Sequence, residues 1–158
     1  MPGQYTLILT VNGKTYSESL TVKMDPRVVT PTNGLQQQFT LSLQAYEGVK
    51  QTFAMLDEAR KLQTKLKAAN EKELDAKINT LLGGGGRQGG PPAPAAVSEL
   101  PLSRLNGAFA GLLDLLQDAD VAPSTQAVTA AQDLQTALAS AVKTWNEIKA
   151  EAEKKGYK

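Results

Sequence analysis

Asp114, Asp118 and Asp120 cluster within seven residues of this chain of 158. Carboxylates at such spacing can hold calcium. A calcium loop also needs a glycine for its sharp turn and a distal bidentate glutamate, and neither follows here, so the three acids read as solvated groups beside a turn. The glycine run 83–86 invites a phosphate-loop reading, because bare N–H groups ahead of a helix bind phosphate. That chemistry requires Gly-Lys followed by Ser or Thr, between a strand and a helix. Here Arg87-Gln88 and then prolines follow, as in a linker. Acid–base catalysis would need paired groups in a shaped pocket. Glu47, Asp57, Glu58 and Asp75 are instead dispersed among Lys and Arg at helical spacing, the pattern of a solvated face.

Two absences narrow the chemistry further. The chain has no histidine, which removes the usual general base and the commonest metal ligand. It has no cysteine, which removes disulfides, thiolate nucleophiles and Cys-based zinc sites. No serine sits in a nucleophile-elbow pattern. The sequence therefore assigns no catalytic residue, no cofactor-binding residue and no metal ligand. The expectation is a protein that is not an enzyme and carries no cofactor.

Charge is balanced at +1 and evenly spread. Residues 1–30 carry three cations against two anions, residues 31–82 seven against six, and residues 98–158 six against eight. No basic face is available to track a phosphate backbone, so nucleic acid is not an expected partner. The same balance argues against an anionic membrane surface. No apolar run reaches the roughly 20 residues of a membrane span, and no signal peptide is visible.

The elements that would position any partner begin with a hairpin. Tyr5, Leu7, Leu9 and Val11 alternate with Thr6, Ile8 and Thr10, the period of a strand. Asn12-Gly13 supplies the positive φ angles of a two-residue turn. A return strand over 14–23 puts Tyr16, Glu18, Leu20 and Val22 on one face. An isolated hairpin buries too little to offset the entropy of ordering it. The segment therefore reads as the end of a larger β domain, and Tyr5, Leu7, Leu9, Val11 and Tyr16 are the candidate interface.

After Pro26 and Pro31, helical periodicity takes over. A first helix starts near Thr32 or Asn33, with Leu35, Phe39, Leu43, Tyr46, Val49, Phe53, Leu56, Ala59, Leu62 and Leu66 as its inward stripe. Asn70 marks a break or a new N-cap before a short segment with Leu74, Ile78, Leu81 and Leu82. Residues 83–97 read as a flexible Gly/Pro-rich linker. A third helix over about 103–118 carries Leu105, Phe109, Leu112 and Leu116, and Gly107 and Gly111 would admit another helix closely. Ser103 is its candidate N-cap. A fourth, about 124–154, carries Leu134, Leu138, Trp145 and Ile148. Trp145, Tyr46 and Phe53 are expected in the core, and Tyr157 at a frayed end. The fold expected is mainly α: an antiparallel bundle of three to four helices with an N-terminal β-hairpin, in which the two long helices pack antiparallel. Its parts are a hairpin (1–28), a long helix or helical pair (29–82), the linker (83–97) and a helical hairpin completing the bundle (98–158).

One resemblance rests on the hairpin and its exit: Pro2-Gly3-Gln4-Tyr5, Val11-Asn12-Gly13-Lys14, and Val22-Lys23-Met24-Asp25-Pro26-Arg27-Val28. With Leu35-Gln36-Gln37-Gln38-Phe39 after it, this stretch resembles the last two strands of the Ig-like domain, and the start of the helical region, in bacterial sortilin-like, BNR-repeat β-propeller proteins. These are labelled sialidase-like or glycosyl hydrolase-like. The resemblance covers about the first 40 residues and includes nothing of the propeller, so no propeller residue carries over. It implies a secreted or periplasmic protein.

The function expected is a non-enzymatic C-terminal helical module for assembly or partner docking in a larger, secreted multidomain protein. Its partner would be protein, either a second copy through the hairpin or the remainder of a parent. Two alternatives stand beside it. One is an accessory glycan-binding fragment of a glycosidase-like protein, which Tyr5 and Tyr16 exposed side by side would favour. The other is a homo-oligomerising coiled-coil scaffold.

Overall fold

The computed structural model describes residues 2–84 and 100–157. Most of the linker assigned to 83–97 lies outside the described residues. The chain is mainly α, with four helices behind an antiparallel hairpin among the described residues.

Strands β1 (Gly3–Val11) and β2 (Lys14–Val22) pair in full register from Gly3↔Val22 to Val11↔Lys14. Asn12 and Gly13 have φ of 50° and 77°, the left-handed pair that a type I′ turn demands. Past the hairpin, the Asp25 carboxylate accepts from the Arg27 backbone N–H at 2.9 Å and pairs with its guanidinium at 2.6 Å. Val28 N–H closes the turn on Asp25 C=O at 2.9 Å. This self-contained turn leads to α1.

Helix α1 (Thr32–Ala68) is followed by α2 (Lys72–Leu82), α3 (Leu102–Gln117) and α4 (Thr125–Lys154). Three of the four end in the same way. Asn70, Gly83 and Gly156 take φ of 60°, 99° and 88°. The residue after each donates back to a carbonyl five positions earlier: Glu71 to Leu66, Gly84 to Asn79 and Tyr157 to Ala152. These are Schellman caps, which satisfy carbonyls that the helix leaves bare. Asn70 is thus a stop for α1, not an N-cap of α2. Tyr157 is tied down and half-buried against the core, contrary to the frayed end expected. At the N-termini, Ser124 caps α4 by accepting from Ala127 N–H at 3.2 Å. Helices α1 and α3 start after Pro31 and Pro101 without a side-chain cap, so Thr32, Asn33 and Ser103 do not serve as predicted.

The layout is a bundle with three helical columns. Helix α2 turns back along the lower half of α1, and α3 continues in that direction along the upper half, both antiparallel to α1. Helix α4 then returns parallel to α1, as shown by the side-chain contacts Gln135–Gln44, Trp145–Glu58 and Lys155–Glu71. α1 runs antiparallel to α2, and α3 to α4, but the two long helices run parallel, because α2 and α3 share one column between them. The ends of that column meet: a Cβ on Gly83 would lie 3.1 Å from Pro101 Cβ.

The core holds the predicted positions of α2, α3 and α4, among them Leu74, Ile78, Phe109 and Trp145. Helix α1 departs from expectation in its first half. Leu35 is buried as expected, beside Gly34, but beyond it the buried residues are Leu41, Ala45, Gly48 and Thr52, while Phe39, Leu43, Tyr46 and Phe53 face solvent. The reason is the close approach of α3. Phe109 packs so tightly on α1 that a Cβ on Gly48 would stand 2.6 Å from its ring. Asn106 Nδ2 donates to Val49 C=O at 3.0 Å and to Thr52 Oγ1 at 2.8 Å, and Thr52 passes the chain on to Gly48 C=O at 2.7 Å. Only small residues fit there, so the large ones are turned outward. Gly107 and Gly111, expected at a helix contact, have open space where a Cβ would stand.

Candidate interaction surface

The hairpin divides its side chains between two faces of different character. One face carries Gln4, Thr6, Thr10, Thr15, Ser17, Ser19 and Thr21 around Ile8, and Thr21 Oγ1 donates across it to Gln4 Oε1 at 3.0 Å. The other face carries Tyr5, Leu7, Leu9 and Val11 on β1, with Tyr16, Leu20 and Val22 on β2, and also Lys14 opposite Val11 and Glu18 opposite Leu7. All five predicted interface residues therefore share one face, as their alternation required. Among the described residues no helix packs on that face. Both strands are exposed throughout, Leu9 at 62% and Tyr16 at 57%. Tyr5 stands opposite Leu20 and Tyr16 opposite Leu9. The two tyrosines are thus four residue steps apart, or ~14 Å along the strands, and do not form an adjacent pair.

Charge is distributed unequally between the strands. β1 has no ionisable group other than the Tyr5 phenol, whereas β2 carries Lys14 and Glu18 and is followed by Lys23. Exposed edges are commonly guarded by such charges. On that criterion β2 is the guarded edge and β1 the unguarded one.

A second apolar surface was not anticipated as such. Phe39, Leu43, Tyr46 and Phe53 recur at steps of four, three and seven on the outside of α1, Phe53 being 67% exposed. Lys50 falls between Tyr46 and Phe53, its ammonium 5.3 Å from the Tyr46 ring centroid and 3.1 Å from Glu47. The hydrogen-bonded Glu47 carboxylate raises the Lys50 pKa. This is the spacing of a coiled-coil seam on a helix whose opposite face is already core. The two surfaces approach each other at a cleft of about 410 Å³ lined by Val22, Met24, Leu35 and Phe39 among others. The signal in the sequence was the 3–4 spacing itself, assigned there to the wrong side.

Elsewhere the polar groups have structural work. Trp145 is 3% exposed, and its Nε1–H donates to Glu58 Oε2 at 3.3 Å, which Lys149 approaches at 3.7 Å. Lys77 bridges α2 to α4 by reaching Glu151 at 2.8 Å and Glu73 at 3.1 Å, and both contacts raise its pKa. Arg27 lowers the Asp25 pKa by hydrogen bonding. Asp114, Asp118 and Asp120 are exposed. Among the described residues no group of three or more carboxylate, imidazole or thiol side chains is placed to hold a metal. No helix among them is long and apolar enough to cross a membrane. Compared with models of known protein families, with curated proteins and with solved structures, the chain shows no match.

Proposed function

We propose that this chain is a non-enzymatic assembly module, a helical body that presents a β-hairpin for docking to protein. The observation that carries the reading is the hairpin's apolar face. Seven apolar or aromatic side chains stand on one side of two strands, with no helix against them. Such a face gains by being covered, at roughly 25 cal/mol for each Å² of apolar surface removed from water. The unguarded β1 edge supports the same reading, since it suits an inner strand of a larger sheet. The resemblance of the hairpin and its Asp25-Pro26-Arg27 exit extends the proposal to its setting, a C-terminal module of a larger, secreted or periplasmic multidomain protein.

The α1 seam favours one second reading, an oligomerising scaffold in which α1 contributes to contacts between chains. The glycan-docking alternative draws less support, because Tyr5 and Tyr16 are offset along the hairpin.

The test is Leu9→Lys, a change on the hairpin face that leaves the bundle untouched. Sedimentation equilibrium of the full chain is expected to show association that Leu9→Lys weakens, with thermal unfolding of the bundle unchanged. Association that survives the substitution, or a bundle that it destabilises, would refute the reading. A panel of sialosides and glycosides is expected to show no turnover above blank.

A further inference from the structure

Three Asn-Gly steps stand in this chain, Asn12-Gly13, Asn33-Gly34 and Asn106-Gly107. In such a step the glycine backbone nitrogen can attack the carbon of the preceding side-chain amide. The new N–C bond closes a five-membered succinimide, the nitrogen gives its proton to a solvent base, and ammonia leaves. Water then opens the ring at either carbonyl and leaves aspartate or isoaspartate. Amide and water thus become acid and ammonia, with no oxidant or reductant. Glycine favours the attack because it has no side chain to obstruct it. The nitrogen must be free of hydrogen bonds, and the backbone must rotate to bring it against the side chain. Neither the helical nor the left-handed conformation supplies that rotation, so each site has to open first.

What opening requires differs at the three sites. Asn106 lies inside α3, and its side-chain nitrogen, the leaving group, donates to Val49 C=O at 3.0 Å and to Thr52 Oγ1 at 2.8 Å. The Gly107 N–H belongs to the helical ladder. Freeing both means parting α3 from α1. Asn33 lies in the first turn of α1, where the Gly34 N–H donates to Pro31 C=O at 2.9 Å and to Asn33 Oδ1 at 2.9 Å. The second contact aims the nitrogen at the amide oxygen instead of the carbon. Gly34 is buried, and a Cβ there would stand 2.9 Å from Ala122 Cβ, so opening lifts the start of α1 off the α3–α4 turn. Asn12 and Gly13 are exposed, and a Cβ on Gly13 would meet nothing within 4 Å. No turn hydrogen bond engages the Gly13 N–H. Among the described residues neither strand packs against a helix. A lone hairpin is marginal in water, so this site opens without disturbing the bundle.

We propose that Asn12 is a site of spontaneous deamidation, the first of the three Asn-Gly steps to convert, and that conversion dismantles the hairpin turn. Isoaspartate routes the main chain through the former side chain and lengthens the turn by one carbon. Both products put a carboxylate where the amide stood. The lengthened turn no longer matches the Val11↔Lys14 pair, and the register that gathers the apolar side chains on one face loses its anchor. The docking face is thereby time-limited, while the bundle is not.

Trypsin places the three steps in separate peptides, 1–14, 28–50 and 105–143. The test incubates the dilute full chain in warm, mildly alkaline buffer, with and without urea beyond the unfolding transition, and follows each peptide by mass. Loss of the amide adds about 1 Da, and an isoaspartyl methyltransferase labels the isoaspartate. In urea the three peptides are expected to convert at similar rates. In native buffer peptide 1–14 is expected to stay within about 10-fold of its urea rate, because a lone hairpin is marginal. Peptide 105–143 should fall roughly 1,000-fold or more below its own, because it waits for the bundle to unfold, and peptide 28–50 should lie between. The converted chain, separated by its added negative charge, is expected to lose the cross-strand contacts between Val11 and Lys14 in magnetic resonance spectra and to keep the thermal midpoint of the bundle. Conversion of either other peptide ahead of 1–14 in native buffer, or conversion of 1–14 in urea alone, would overturn Asn12 as the site. Cross-strand contacts that survive conversion would overturn its effect on the hairpin.

Discussion

Alanine in place of three helical glycines should act with opposite signs. Gly48, Gly107 and Gly111 all lie inside helices, where glycine costs roughly 1 kcal/mol relative to alanine. On propensity alone, each substitution would stabilise the chain by that amount. At Gly107 and Gly111 nothing lies within 4 Å of the added methyl group. At Gly48 the added Cβ would sit 2.6 Å from two carbons of the Phe109 ring. Carbon atoms pack at about 3.5 Å or more, so ring and helix must separate by nearly 1 Å. The ring is 1% exposed and has little room to retreat. Widening the gap also stretches the bonds from Asn106 to Val49 and Thr52.

Overpacking costs about 1–3 kcal/mol, and a 2.6 Å contact on a buried ring puts Gly48 in the upper part of that range, about 2–3 kcal/mol. Less the propensity gain of about 1 kcal/mol, the expected net effect of Gly48→Ala is a loss of about 1–2 kcal/mol. For a domain of this size that lowers the unfolding midpoint by roughly 2–8 °C. Gly107→Ala and Gly111→Ala should each raise it by about 2–4 °C. Circular dichroism melts of the three variants beside the parent chain read the contrast directly. Adding Phe109→Leu to Gly48→Ala should recover part of the loss, because it vacates the space that the methyl group needs. A Gly48→Ala chain as stable as the Gly107→Ala chain would refute the close approach of α1 and α3, and with it the reason given for the outward turn of the α1 aromatics.

The remaining predictions concern other parts of the bundle. Trp145→Ala should cost about 3–5 kcal/mol by leaving a cavity, while Phe53→Ala should stay within about 0.5 kcal/mol in the monomer because its ring faces solvent; urea titrations of both would show either assignment to be wrong. Replacing residues 85–99 by a shorter loop should change stability by less than about 1 kcal/mol, since Gly83 and Pro101 already lie side by side and closure entropy varies slowly with length. A larger loss in the same titration would give those residues a structural role. Glu73, held below its ordinary value of 4.5 by Lys77, contributes stability present above that value and lost as pH falls through its folded pKa. Lys77 and Lys155, raised above 10.5, contribute stability present below that value and lost as pH rises through theirs. Midpoints measured against pH should therefore fall at both extremes, less so in high salt because the groups are exposed. A Lys77→Met chain with an undiminished acid limb would contradict the assignment to Glu73.

Much of the fold follows from local rules that the sequence displays openly. Asn12-Gly13 fixes the turn and hence the register, so the membership of the hairpin's two faces was legible residue by residue. Gly83 and Gly156 mark helix ends because few other residues tolerate their φ. The apolar stripes of α2, α3 and α4 were legible because each of those helices has only one. The path of the chain was less so. Two long helices suggest an antiparallel pair until α2 and α3 are seen to share a column, and nothing local in the sequence specifies that sharing.

Helix α1 shows why a candidate surface can be visible in a sequence and still be assigned to the wrong side. It carries two sets of residues at steps of three and four, offset by two positions: Phe39, Leu43, Tyr46 and Phe53 against Leu41, Ala45, Gly48 and Met55. Two positions are about 200° around a helix, so the sets occupy opposite faces. Periodicity treats them alike, and side-chain size points to the wrong one. The choice is made by α3, whose Phe109 and Asn106 need a shallow partner in Ala45, Gly48 and Thr52. From Leu56 onward the sets merge, and Leu56, Ala59, Leu62 and Leu66 are buried as their spacing implies. The aromatics of the first half are therefore surplus to the core. They form an exposed apolar stripe on the face of α1 opposite the core.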